Sequence, residues 1–269
     1  MSLKTQIHHI LFHRHLLWEF LRRDIQARYI GSAMGLFWSV IHPLVLLTVY
    51  TFVFEIILGV KYKAMGRETI GGFYIFCGLL PWYAFQEALI RSTTSIVDNA
   101  HLIKQVHFPA KILPAYITLS AIVNQLIATV IFLIAILIYS GQIPWTICFF
   151  PLVLVFQIIL FFGLGLLFST LNTYFRDIGP LVNIGSMLLM WSTPMLYTLD
   201  NVKAAPEYIQ NLVFFNPLTS LVLIYHDMIL YGNVPPLSSW AILIAVSFGT
   251  LLVGYPVFTR HHGEFADLL

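Results

Sequence analysis

Along this chain, long apolar runs alternate with short polar hinges. The clearest hinge is 168–178, where Arg176 and Asp177 stand between two apolar runs, 147–167 and 178–197. A spanning helix takes roughly 20 apolar residues. Each of these runs is long enough, so the charged pair between them has to lie at a membrane surface. The same pattern predicts further spans at 37–59, 73–90, 113–140 and 240–258, six in all. Pro43 sits about one turn inside the first span and Pro81, with Gly78, inside the second, where each can kink a helix. Gly31 and Gly35 lead into the first span and mark a bend. Residues 61–68 make a loop carrying Lys61, Lys63 and Arg67. Between the second and third spans lies the longest polar stretch, 91–114. A short helix is predicted there over 93–102, with Pro109 and Pro114 keeping it apart from the next span.

Ahead of the spans, residues 1–30 read as a helix lying on a surface. Leu17, Phe20, Leu21, Ile25 and Tyr29 recur at helical spacing, while Arg22, Arg23, Asp24 and Arg28 crowd the other side. Trp18 suits the headgroup level. Such a helix is either a solvated anchor or a docking surface for a partner. Residues 212–231 are apolar but interrupted by Asn216 and Pro217, and only about 14 residues separate Pro217 from Gly232, too few to span. They read as a pair of short helices dipping into the outer face or lying on it. The expected fold is an all-α polytopic membrane protein in a single domain: an interface helix at 1–34, a six-span region at 35–258 and a tail at 259–269.

Composition agrees with the pattern. The chain of 269 residues is 59% hydrophobic and only 10% charged, with a mean hydropathy of +0.84. That is the polytopic membrane class, with no room for a large catalytic domain. The early cations Lys4, Arg14, Arg22, Arg23 and Arg28, with no apolar core between them, argue against a cleaved signal peptide. Six spans put both termini on one side. The opposite side then holds Lys61, Lys63, Arg67 and Lys203, four of the 14 cations, and the positive-inside rule places both ends in the cytoplasm.

Candidate chemistry is sparse. No phosphate-cradling G-x-x-x-x-G-K-[ST] loop is present, so the chain has no ATP site of its own, and no hydrolase or metalloprotease motif occurs. His9 and His13 are spaced as metal ligands can be, but nothing completes a site. Cys77 and Cys148 fall inside apolar runs and indicate neither a disulfide nor a metal. Glu55 and Glu87 lie just inside span ends, where a carboxylate serves hydration, a local pair such as Glu55 with Lys61, or a pathway. The aromatics gathered toward the outer half, among them Tyr50, Phe54, Trp82, Tyr83, Trp191 and Tyr197, form an interface belt. A few of them could also offer flat faces along which a large polar substrate slides.

Several segments taken together resemble a known family. Arg23, Asp24, Arg28 and Tyr29, followed by Gly35, Trp38 and Pro43, look like the start of polysaccharide ABC exporter permeases. So do Asn99 to Lys104 with Phe108 and Pro109, the 168–177 hinge, the segment from Ser192 to Tyr197, and Asn216, Pro217 and Leu218 with Tyr225 and Asp227. The likeness runs over nearly the whole chain and is greatest to the subunit that exports lipid-linked O-antigen polysaccharide; teichoic-acid and capsule exporters share several of these motifs. The family commonly has Arg where this chain has His226.

The resemblance implies a non-enzymatic transport subunit of the bacterial inner membrane. It would be a homodimer forming a channel above two copies of a separate ATPase, which alone would hold ATP and magnesium. An undecaprenyl-linked glycan would be the substrate, membrane lipids the surroundings, and nucleic acid no partner. Arg22, Arg23, Asp24, Arg28, Asn99 and Lys104 would contact the ATPase. Tyr50, Phe54, Trp82, Tyr83, Glu87 and Trp191 would line the conduit. Pro194, Tyr197, Asn216 and Pro217 would form the outer gate. Other classes stand beside this one. An ion-coupled secondary transporter would show internal repeats and midplane charges, and neither is visible; a membrane-embedded transferase would keep its chemistry without the N-terminal helix.

Overall fold

The computed structural model describes residues 14–28, 37–59, 62–64, 67–69, 71–104 and 108–269. Helix α1 is Arg14–Ala27. Helix α2 (Trp38–Thr51) contains Pro43 and continues directly into a π-helical stretch, Phe52–Ile57. A small antiparallel hairpin follows, β1 (Tyr62–Ala64) against β2 (Arg67–Thr69), where the sequence suggested only a loop. Next come α3 (Gly71–Asp98), α4 (Ala100–Ile103) and α5 (Ile112–Ser140). A 3₁₀ turn, Trp145–Phe149, leads into α6 (Phe150–Tyr174), and α7 is Ile178–Ser192. Two short helices, α8 (Leu199–Lys203) and α9 (Glu207–Phe215), precede α10 (Pro217–Tyr225), which runs on as a second π-helical turn, His226–Tyr231. Helix α11 (Leu237–His261), a 3₁₀ turn (His262–Glu264) and α12 (Phe265–Leu268) close the chain. The readings placed on His9, His13, Tyr29, Gly31, Gly35 and Lys61 lie outside the described residues.

Among the described residues, five helices are long and apolar enough to cross a membrane: Trp38–Ile57, Gly71–Asp98, Ile112–Ser140, Trp145–Tyr174 and Leu237–Leu268. The pair Glu207–Phe215 and Pro217–Tyr231, bent by 77° at its break, makes a sixth if it is counted as one broken span. The predicted run 178–197 is cut short. Helix α7 stops after 15 residues, about 22 Å long at 1.5 Å per residue, where a bilayer core is about 30 Å thick. The cause is local. Thr193 turns to extended backbone (φ −101°, ψ 130°) ahead of Pro194, whose ring disfavours helix in the residue before it.

Two other predicted boundaries move outward for one shared reason. The second span does not end near Ile90; α3 runs unbroken through Arg91 to Asp98, so no separate helix covers 93–102 and only the single turn of α4 stands apart. Likewise α6 continues through the hinge as far as Tyr174, leaving only 175–177 as turn. The residues responsible are hydroxylic. Thr93 donates to the Leu89 carbonyl (2.7 Å) and Ser95 to that of Ser92 (2.7 Å). In α6, Ser169 and Thr170 donate to Leu166 and Thr173 to Ser169, at 2.8–3.1 Å. A hydroxyl satisfied by the preceding turn costs little to bury, so a stretch that looks like a surface hinge is helix interior. Asn172 then caps the hinge by accepting from the Gly179 amide (2.9 Å).

Helix α3 is the hub. Seventy-eight percent of its apolar window is buried, against 11% for α2, which is held on one face only. Ile75, Leu79, Phe132, Phe161 and Leu243 belong to the core around it. Three polar side chains close a ring inside that core. Gln157 donates to Gln125 (2.6 Å), Gln125 to the Tyr225 hydroxyl (2.5 Å), and Tyr225 back to Gln157 (2.9 Å), pinning α5, α6 and α10 together. Helices α6 and α11 touch backbone to backbone: a β-carbon on Gly254 would meet the Gly163 carbonyl oxygen at 2.1 Å. Gly141 (φ 76°) ends α5 in the left-handed conformation that suits glycine, its amide returning to the Leu137 carbonyl (2.9 Å).

Candidate functional site

Helix α1 is seated on the bundle by an apolar contact and a cluster of charges. Leu21 is buried, and the Phe20 ring packs on Phe108 (5.9 Å) and Tyr116 (5.4 Å). One turn further on, Asp24 and Arg28 of α1 meet Glu87 and Arg91 of α3. Arg28 and Arg91 both contact both carboxylates: Arg28–Asp24 is 3.1 Å and Arg91–Glu87 2.9 Å, and the cross pairs Arg28–Glu87 and Arg91–Asp24 are closed as well. Ser120 of α5 donates to Asp24 (2.5 Å) and accepts from Arg28 (3.1 Å), while Asn124 donates to Glu87 (3.1 Å). Two cations and two anions cancel. A balanced, fully bonded quartet is the form in which charge can sit part-buried at low cost. Burial alone would raise the Asp24 pKa; the hydrogen bonds from Arg91 and Ser120, with the charges of Arg91 and Arg28, outweigh it and hold the carboxyl below its ordinary 3.8.

Above the quartet opens a cavity of about 630 Å³ between α2, α3 and α5. Arg28, Glu87 and Arg91 reach it from below, Trp38 and His42 line it from α2, and Tyr83 from α3. The Tyr83 hydroxyl pairs with that of Tyr50 (3.3 Å), whose ring lies 6.3 Å from Phe54. Of the expected conduit set, Tyr83 and Glu87 line the cavity, while Tyr50 and Phe54 stand behind Tyr83 and do not line it. Nor does the structure bring Trp82 to the cavity: that ring is buried in the core beside Phe85 (5.6 Å), its Nε1 without a hydrogen-bond partner among the described residues. Trp191 stands exposed at the end of α7. Glu55 lies in the π-helical stretch, with one carboxylate oxygen buried and unpartnered among the described residues.

The residues expected to meet a partner divide in two. Arg22 and Arg23 are exposed on the outer face of α1, and Lys104 is exposed where α4 ends. Asp24 and Arg28 turn inward to the quartet, and Asn99 donates to the Ser95 carbonyl (2.8 Å) at the end of α3. Arg91 and Ser120 of the cluster were not singled out from the sequence, and Asn124 reads from it only as a polar position halfway along the third span. A signal was present. Asp24 with Arg28 and Glu87 with Arg91 share one spacing in one order, acid then base four residues on, the favourable order for a helix.

The expected gate residues form a second hydrogen-bonded site. Asn216 caps α10 by accepting from the Leu218 amide (3.0 Å), with Pro217 at the first helical position. Its amide nitrogen donates to Thr193 (2.7 Å) and Ser192 (3.0 Å) at the end of α7. Tyr197 donates to the Trp191 carbonyl (2.9 Å), and Tyr74 reaches over the carbonyls of Tyr197 (3.2 Å) and Pro194 (3.5 Å). His226 stacks on Tyr74 (4.1 Å) and bonds its carbonyl through Nε2 (3.0 Å). Loss of the Asn216 side chain removes the cap and the tie to α7 together. Asn216→Ala is expected to cost roughly 1–2 kcal/mol and to free the 192–197 segment, read as faster hydrogen exchange there with α3 unchanged.

No group of three or more His, Cys, Asp or Glu side chains among the described residues is placed to hold a metal. A short helix locked by ion pairs onto a bundle of helices long and apolar enough to cross a membrane, with a cavity above the lock, marks a polytopic membrane protein. The ABC-2 type transporter family matches residues 15–229, and the chain belongs to that family. It is 31% identical over 255 residues to an O-antigen export system permease protein RfbA of Klebsiella pneumoniae, covering 92% of each chain. It is 28% identical over 260 residues to the protein of the same name from Myxococcus xanthus, covering 95% of each.

Proposed function

We propose that this chain is the channel-forming subunit of an ATP-driven exporter that carries undecaprenyl-linked polysaccharide of the O-antigen type from cytoplasm to periplasm. The observation that carries the reading is end-to-end likeness to O-antigen export permeases combined with an α1 that is docked rather than free. In this reading the chain is a single domain in the bacterial inner membrane with both termini in the cytoplasm. Two copies face each other over two ATPase subunits that hold ATP and magnesium, and this chain holds no cofactor. Arg22, Arg23, Asn99 and Lys104 meet the ATPase, and its movement enters the spans through α1 and the quartet. The cavity bounded by Tyr83, Trp38 and Glu87 takes the polar glycan, whose hydroxyls and ring faces suit aromatic and amide partners. The 192–197 segment and Asn216 close the outer end.

Deletion of the chain from its host tests the reading. Surface polysaccharide should disappear while lipid-linked polymer accumulates inside the cell. Normal surface polymer in the deletion strain would refute it.

A further inference from the structure

We propose that the last residues of the chain are a clamp that sets the position of α4, and that Phe265 is a positioning residue for coupling ATP hydrolysis to transport. The inference rests on the reading of α4 and its flanks as an ATPase contact. From sequence, 259–269 is only a tail. In the structure it folds back and builds a second apolar cluster apart from the main core. Ile96 at the end of α3, Ala110 ahead of α5, Leu166 of α6, Phe258 of α11 and Phe265 of α12 are its buried members. Phe265 is completely buried and meets Phe258 edge to face at 5.3 Å.

Polar straps hold the tail down around this cluster. The Tyr174 hydroxyl donates to the Glu264 carboxylate, and the His261 ring meets Tyr174 edge-on at 5.4 Å. Ahead of the tail, Lys111, just before α5, fixes the end of α11 by donating to the Tyr255 hydroxyl (2.8 Å) and lying over its ring at 4.4 Å.

What makes this a clamp is the partner at its edge. Helix α4 is one turn, four residues. So short a helix has no stability of its own, because the nucleation cost is not recovered; its position is set by whatever it packs on. It packs on α12 and on the end of α3, with Ile103 against the second cluster. Phe265 therefore stands between α4 and the cytoplasmic ends of α3, α6 and α11. A push on Asn99 or Lys104 is passed to three spans if Phe265 fills the cluster. It is absorbed locally if Phe265 leaves a void.

The test uses the full chain co-purified with its ATPase subunit in nanodiscs and proteoliposomes, comparing wild type, Phe265→Ala and Phe265→Leu. Three readouts are taken: ATPase subunits bound per permease, ATP hydrolysed, and glycan moved per ATP. The alanine variant should keep its ATPase subunits and still hydrolyse ATP, while glycan moved per ATP falls about tenfold, within the usual range of coupling between sites. The leucine variant should restore most of that ratio. An unchanged ratio in folded Phe265→Ala overturns the clamp. So does a loss in either variant that merely follows the amount of folded permease, with the ratio per folded complex kept. If the wild-type chain recruits no ATPase at all, the functional reading falls and the clamp with it; recruitment with intact coupling in the alanine variant sinks the clamp alone.

Discussion

Asp24→Asn is expected to release the N-terminal helix from the bundle. Asp24 accepts from Arg28, Arg91 and Ser120, so its neutralisation removes the charge from these bonds, replaces one acceptor oxygen by an NH2 that can only donate, and leaves two guanidinium groups facing one carboxylate. Removing one member of a fully buried ion pair costs roughly 3–5 kcal/mol. This cluster is partly solvated, with Arg91 33% and Asp24 14% exposed, so a loss of about 2–3 kcal/mol is expected, in the range for hydrogen bonds to charged groups. A cysteine placed at buried Leu21 reads the outcome: maleimide labelling should be slow in the parent and fast with Asp24→Asn. Swapping the pair, Asp24→Arg with Arg91→Asp, should recover part of the loss relative to either single change, as coupled sites do.

Acid should do the same work. A carboxyl whose pKa is depressed on docking stabilises the docked state fully above its free value and loses that contribution as pH falls through the depressed one. Labelling of the Leu21 cysteine, divided at each pH by that of a fully exposed cysteine to remove the loss of thiolate in acid, should therefore be constant above about pH 5, since free aspartate titrates near 4, and rise steadily below pH 3.8. Labelling that is flat down into that range would show that Asp24 does not hold the helix.

Gly254→Val should be the most damaging single change in the spans. The new side chain would run into the Gly163 carbonyl, a backbone atom that cannot swing aside, so α6 and α11 must separate. Overpacking of a tight contact costs about 1–3 kcal/mol, occasionally more, and a backbone clash belongs at the upper end. Separation would also strain the Ser247 bond to the Phe156 carbonyl (2.9 Å). Gly249, in the same helix, is the internal control. A β-carbon there meets nothing within 4 Å, so Gly249→Ala should be neutral or slightly stabilising, because alanine favours helix over glycine by about 1 kcal/mol. Thermal denaturation in detergent should show Gly254→Val far below the parent and Gly249→Ala at or above it. Equal effects of the two would mean that the α6–α11 contact is looser than described.

Hydropathy located five of the six predicted spans, because a helix crossing lipid must be long and apolar; the run 178–197 yields only the 15 residues of α7. It misplaced their ends wherever Ser and Thr satisfy themselves against the preceding turn: Thr93 and Ser95 continue α3, and Ser169 to Thr173 continue α6. A residue's polarity says that it needs a partner, not that the partner is water. The two acid–base pairs of the quartet were each legible as helix spacing. That Asp24 would find Arg91 was not, because it depends on how α1 crosses α3 and α5, a tertiary fact. Asn216 and Pro217 announced a helix start by their chemistry, and the structure adds that the same amide reaches Ser192 and Thr193. The tail was illegible for a simpler reason: Phe265, Ala266, Leu268 and Leu269 make too short an apolar stretch to show a period, and the burial of Phe265 depends on four other segments converging.

The central claim is that this permease moves its substrate only on energy supplied by another protein. Proteoliposomes test it most directly, with labelled lipid-linked glycan and the purified chain either alone or joined to its ATPase subunit. Flux should require both the ATPase and ATP, and the chain alone should show none under a proton or sodium gradient. Ion-driven flux through the isolated chain, or nucleotide hydrolysis by it, would contradict the account.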